Sequence, residues 1–178
     1  MTAAAKKDFL AGLANLAAEY RQQIEAECDG FSPDPKQSKL RRQKALDPNN
    51  GYGYFVANYF PHYVKHDSQS ELHSYLFDRL PAILNSPRPE TDAIAAPRGE
   101  AKSTLVTQLF VIWCLVTGRK RYPVIVMDSI DQAYPMLEAI KAELAFNPRL
   151  KLDFPEAAGA GRVWQAGTIL TANDSKVQ

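Results

Sequence analysis

The chain has 178 residues, 46% of them apolar, which is enough for one domain with a real core and excludes a wholly disordered protein. Lysine plus arginine number 21 against 20 for aspartate plus glutamate, and the net charge of +1 excludes a strong non-specific pull of the whole chain toward nucleic acid. The two cysteines, Cys28 and Cys114, are far apart in sequence and fit a reducing compartment with buried or incidental thiols better than a disulfide framework.

In chain order, Phe9, Leu10, Leu13, Leu16, Ala17, Tyr20 and Ile24 fall at helical spacing and predict an amphipathic helix over about 6–27, ending near Asp29-Gly30. The N-terminus has no apolar core or cleavage site of a secretion signal, so the chain is expected to stay in the cytoplasm. A basic helix follows the loop FSPDP: Lys36, Lys39, Arg41, Arg42 and Lys44 supply five positive charges with no acid, a pattern of a solvated helix face or of a DNA or partner contact. DPNNGYGY predicts a turn, and 55–84 is aromatic and helical, with a helix start at Ser68-Gln69-Ser70-Glu71 and an apolar face of Leu72, Tyr75, Leu76, Phe77 and Leu80 before Pro81. NSPRPETD is a linker, dividing a helical region, 1–85, from an α/β region, 86–178. After it, strand, helix, strand, helix predicts a parallel sheet: Asp92 to Ala96, a helix from about Ala101, Val124 to Met127, and a helix over about 131–146 whose start Pro135 blurs. Leu105 to Val116 is too short to span a bilayer, and Arg162 to Gln165, Ala166-Gly167 and Thr168 to Ala172 read as a β-hairpin with Trp164 as a core anchor.

The segment richest in chemistry is Ala95 to Leu105, A-A-P-R-G-E-A-K-S-T-L. It follows the grammar of a phosphate-binding loop opening a buried helix, in which backbone N–H groups wrap the phosphates, a lysine reaches the β/γ oxygens and a hydroxyl holds Mg²⁺. Aligned on Lys102, with Ser103 as the hydroxyl, Ala96 and Ala101 stand where the pattern has glycine, and Gly99 is the only loop glycine. Ala101 is expected to take a helical φ, since only φ > 0 strictly needs glycine. Glu100 repels a triphosphate unless its side chain points away. The alternative is that Lys102 and Ser103 simply start a helix, with Ser103 as its cap.

Three further groups carry possible chemistry. His62 and His66 are spaced i, i+4 and fit a metal pair or ordinary packing. Tyr52, Tyr54, Phe55, Tyr59, Phe60 and Tyr63 fit stacking on an adenine or on DNA bases, or a core. Asp128 follows an apolar strand, as a Mg²⁺-placing acid does, yet Ser129-Ile130-Asp131 reads equally as the next helix cap.

Tyr59 to Pro81, Y-F-P-H-Y-V-K-H-D-S-Q-S-E-L-H-S-Y-L-F-D-R-L-P, followed by APRGEAKST, resembles the opening of bacteriophage large terminase subunits. Members of that family are similar in an aromatic-Pro-His segment, a helix with a histidine near its start (here His73), and a deviant Walker A with Arg before the Gly and a small residue before the Lys. The Val-Ile-Val-Met-Asp run and the Thr-Ala-Asn-Asp segment fit as well, so the resemblance extends from about Asn58 to the last residue. It implies an α/β fold in which the helical region precedes the first part of a P-loop NTPase parallel sheet, incomplete at the C-terminus, and an ATP-driven motor that packages viral DNA into capsids in the host cytoplasm. By the same resemblance Lys102 binds the β/γ phosphates, Ser103 holds Mg²⁺, and Pro97, Gly99, Glu100, Ala101 and Thr104 line the ATP phosphates. Arg98 matches the Walker A arginine, which contacts the γ-phosphate or reports its presence. Double-stranded DNA, the small terminase subunit, the portal and further copies of the chain are the implied partners, with no membrane. The acidic pair and the nuclease carboxylates of the family lie beyond Gln178, so the chain is expected to be a piece of a longer protein that binds nucleotide weakly and hydrolyses little. Other readings are a different P-loop ATPase such as a helicase or small-molecule kinase, and a non-catalytic module that docks a partner through its first helix and basic segment.

Overall fold

The computed structural model describes residues 2–64 and 70–178. Helix α1 spans Ala3–Glu27, α2 Pro35–Ala45, α3 Gly51–Tyr59 and α4 Glu71–Asn85. A π-helical turn, Thr104–Leu109, runs directly into α5, Phe110–Thr117, and α6, Ile130–Phe146, and α7, Pro148–Asp153, follow. Strands β1, Val163–Trp164, β2, Ile169–Leu170, and β3, Lys176–Val177, form a small antiparallel sheet in that order.

Short polar side chains set the helix starts. Thr2 caps α1 by accepting from the Ala5 N–H, Asp34 caps α2 just ahead of Pro35, and Ser70 caps α4 by accepting from the His73 N–H. Ser68 and Gln69, part of the predicted start of α4, lie outside the described residues. The predicted turn at DPNNGYGY is shorter than expected, because α3 already begins at Gly51. A Cβ on Gly51 would sit 2.5 Å from the Ala45 carbonyl oxygen, so only glycine lets α2 and α3 approach this closely. Helix α4 does not stop before Pro81 but continues to Asn85. Burial of Leu80 and Pro81, with Ile83 and Leu84 packed on the core, offsets the backbone hydrogen bond that the proline removes.

One core unites both parts of the chain. Tyr52, Phe55, Tyr59 and Phe60 from α3 and its C-terminal cap pack with Leu76 of α4, with Ile112, Trp113 and Leu115 of α5, with Ile140 and Leu144 of α6, and with Phe154. Complete burial of rings and branched side chains of this size contributes about 1.5–3 kcal/mol each. Trp113 also donates from Nε1 to the Ala45 carbonyl at 2.8 Å, satisfying its buried N–H. Helix α1 lies against α6, where Ile24 and Cys28 pack with Ala142. Trp164 is only partly buried, so the anchor of the core is Trp113.

The expected parallel P-loop sheet is not formed. Asp92 to Ala96 has no strand structure: alanine-rich and with only Ile94 packed on the core, it is tied down instead by Asp92, which pairs with Arg79 at 2.8 Å. The hairpin is present in the predicted place, with Val163 opposite Leu170 and Trp164 opposite Ile169. The Val124 to Met127 run is extended and, with the residues just before it, runs parallel to β3 through three hydrogen bonds: Lys176 N–H to the Arg121 carbonyl, Gln178 N–H to the Pro123 carbonyl, and Ile125 N–H to the Gln178 carbonyl. Pro123 has no N–H to extend this ladder. Among the described residues, no helix is long and apolar enough to cross a membrane.

Candidate phosphate-binding loop

Residues 98–100 make a tight turn, and the helix opens at Lys102. Gly99 takes φ +94° and Ala101 takes φ +51°. The expectation of a helical φ at Ala101 is therefore corrected: this alanine adopts the left-handed conformation for which the standard pattern places glycine. The cost to an L-residue is about 1–2 kcal/mol. What the kink achieves is directional. The Ala101 carbonyl accepts from the Leu105 N–H at 2.9 Å, so Ala101 is the residue at the helix boundary, and it has no side-chain oxygen to cap the first turn. Ser103 does not cap the helix either, since it is already helical (φ −64°, ψ −37°) and its exposed hydroxyl makes no capping bond. The N–H groups of Lys102, Ser103 and Thr104 thus face outward at the positive end of the helix dipole.

Ala96 to Thr104 line a cleft of about 400 Å³ around these groups. Lys102 is half-buried, its Nζ 3.5 Å from the Ile94 carbonyl oxygen, and Arg98, Pro97 and Gly99 are exposed at the rim. His73, one turn into α4, donates from Nε2 to the Glu100 carbonyl at 3.2 Å, and so ties the loop to a helix that is itself anchored in the core by Leu76 and Leu80. Sequence reasoning singled out His73 only as part of a resemblance; its contact with the loop depends on how α4 packs.

Below the loop, the hydroxyl of Tyr52 donates to the Leu105 carbonyl at 2.5 Å, and the same carbonyl accepts the Phe110 N–H five residues on. This second donor marks where the helix widens into its π turn. Burial holds the Tyr52 phenol well above its usual pKa, so it remains a donor. Gln108, buried in the same turn, donates from Nε2 to the Tyr63 hydroxyl at 2.6 Å.

Other sequence candidates resolve differently. Tyr52, Phe55, Tyr59 and Phe60 are fully buried and belong to the core, which leaves no stacking surface for an adenine on their rings. His62 donates from Nε2 to the Glu143 carboxylate at 2.6 Å in a buried pair, and Asn147 Nδ2 donates to the second oxygen of Glu143 at 2.9 Å. His66 lies outside the described residues, and among the described ones no group of three His, Cys, Asp or Glu is placed to hold a metal. Asp128 is exposed, immediately before Ser129, the residue that starts α6.

The basic segment is not simply a solvated face. Arg41 forks onto the buried carboxylate of Asp153 at 2.7 and 2.9 Å, and Arg42 onto the exposed carboxylate of Glu156 at 2.6 and 3.1 Å, so two of its charges are engaged in pairs within the chain, one buried and one at the surface. Both cysteines are buried and unpaired, and burial pushes the thiol of Cys28 up to about 11 and that of Cys114 up to about 12. No family model, curated protein or solved structure matches this chain.

Proposed function

We propose that the loop from Pro97 to Thr104 binds the phosphates of ATP, and that the chain is the nucleotide-binding N-terminal portion of a DNA-packaging ATPase of the large terminase type. The observation that carries the phosphate reading is the left-handed Ala101 directly before Lys102. A strained alanine at the position the phosphate-loop pattern reserves for glycine is difficult to explain as a mere helix start, and it turns outward the N–H groups that an anion requires. Successive N–H groups beside a left-handed residue form a concave nest suited to phosphate oxygens.

The residues then divide the work. Backbone N–H groups from Gly99 to Thr104 donate to phosphate oxygens, and Pro97 fixes the entry to the turn. Lys102 leaves its weak contact with the Ile94 carbonyl and moves its ammonium to the β/γ oxygens. Arg98, exposed at the rim, reaches toward the γ-phosphate. His73 holds the Glu100 carbonyl away from the phosphates. Mg²⁺ neutralises phosphate charge when bound, and it commonly takes one or two protein ligands with phosphates and waters making up the rest. The Ser103 hydroxyl suits that part. Double-stranded DNA, the small terminase subunit and the portal belong to this proposal as partners of the whole motor.

Calorimetric titration with Mg²⁺-ATP tests the reading. Wild type is expected to bind and Lys102→Ala to lose at least about tenfold in affinity, or 1.4 kcal/mol, with its melting temperature unchanged. A folded wild type that releases no heat, or a variant that binds equally well, would refute it.

A further inference from the structure

The extended segment at 122–126 forms the outer edge of the sheet, and its two sides differ. Arg121, Pro123 and Ile125 carry the three hydrogen bonds to β3. With the two-residue period of a strand, Tyr122, Val124 and Val126 then point their N–H and C=O groups to the opposite edge. Among the described residues these groups have no hydrogen-bond partner. The same three side chains are 54, 57 and 87% exposed, whereas Pro123, Ile125 and Met127 turn toward the body of the protein. An apolar edge of this kind, without a bulge or an inward charge, templates pairing with another strand. Pro123 gives no protection, because the donor it removes lies on the side already paired. The edge is bounded by two exposed residues of opposite charge, Lys120 and Asp128.

We propose that this edge is a docking surface for a second copy of the same chain, paired antiparallel about a two-fold axis through Val124. Such an axis makes the contact self-complementary. Val124 faces Val124 of the second copy, Tyr122 faces its Val126, and each of these pairs exchanges both of its backbone hydrogen bonds. In the same register Lys120 faces Asp128 of the second copy, on both sides of the axis. Competing registers lose this match. A shift of one residue points the edge groups the wrong way. Moving the axis to Tyr122 sets Lys120 against Val124, and moving it to Val126 sets Asp128 against Val124. The charge pair therefore selects one register, while the apolar side chains supply cross-strand contact. The inference is independent of nucleotide binding.

Sedimentation velocity over a concentration series tests it, with circular dichroism confirming the fold of each variant. Wild type is expected to show a concentration-dependent monomer–dimer equilibrium. Val124→Lys places like charges directly opposite across the axis and should weaken it at least about tenfold. Lys120→Asp and Asp128→Lys should each weaken dimerisation by setting like charges face to face, and the two changes combined should restore it. A wild type that stays monomeric at every concentration overturns the proposal. So does a dimer indifferent to Val124→Lys, or a charge-swapped double variant no better than its parents.

Discussion

Ala101 concentrates the physical argument at the scale of single residues. Its side chain opposes the conformation it occupies, and the helix N–H groups that follow it are left facing outward, as the proposed phosphate contact requires. Ala101→Gly is expected to stabilise the protein by about 1 kcal/mol by removing the left-handed penalty. Chemical denaturation measures this directly; a variant that is unchanged or less stable would mean that Ala101 is not left-handed in solution. The sequence signals the sign of this φ only through the position, where the phosphate-loop pattern has glycine; the alanine itself points the other way. Lys102 and Ser103 were legible as candidates because their spacing is a chemical pattern, whereas a positive φ at alanine depends on the closure of a loop between α4 and the buried helix. Tyr52 was legible as an aromatic, yet its bond to Leu105 requires residues 53 positions apart to meet.

Among elements, the docking of α2 on α7 rests on Asp153. Its side chain is fully buried, and Arg41 pairs with it at 2.7 Å. Burial raises the carboxyl pKa, but hydrogen bonds from Arg41, Ser38 and Tyr59 and the charge of Arg41 outweigh it and hold the pKa below the usual value. A depressed folded pKa contributes stability that is complete above the unfolded-chain value of about 3.9 and is lost as pH falls through the lower folded value. Asp153→Asn is therefore expected to cost about 3 kcal/mol at neutral pH and to lose less further stability than wild type below about pH 4. Urea unfolding at pH 7 and pH 3 measures both; parallel losses in the two proteins would remove Asp153 from the acid response. The helices themselves were readable, because apolar spacing and caps such as Asp34 and Ser70 are local signals. The strands were less so. Asp92 to Ala96 has a single branched side chain, Ile94, to favour a strand, and Val124 to Met127 has three but finds only the short β3 as a neighbour.

At the scale of the whole molecule, the aromatic tract of α3 and the helix behind the proposed phosphate loop form a single core, so the loop stands on a packed base while most of its own residues face solvent. That arrangement suits a site whose backbone N–H groups are set before the ligand arrives. It also explains why a parallel sheet was expected and an antiparallel one found: alternating strand and helix segments predict order along the chain, but pairing is decided by which segments keep a free donor and an available neighbour. Here β1, β2 and β3 are consecutive and close locally, and Pro123 limits the parallel contact. The most direct test of the phosphate-loop account is a ¹H–¹⁵N correlation spectrum of the isotopically labelled chain titrated with Mg²⁺-ADP. The account predicts that the amides of Gly99 to Thr104 move first and furthest, with His73 following. Saturable shifts confined to another surface, or none at all in a folded protein, would contradict it.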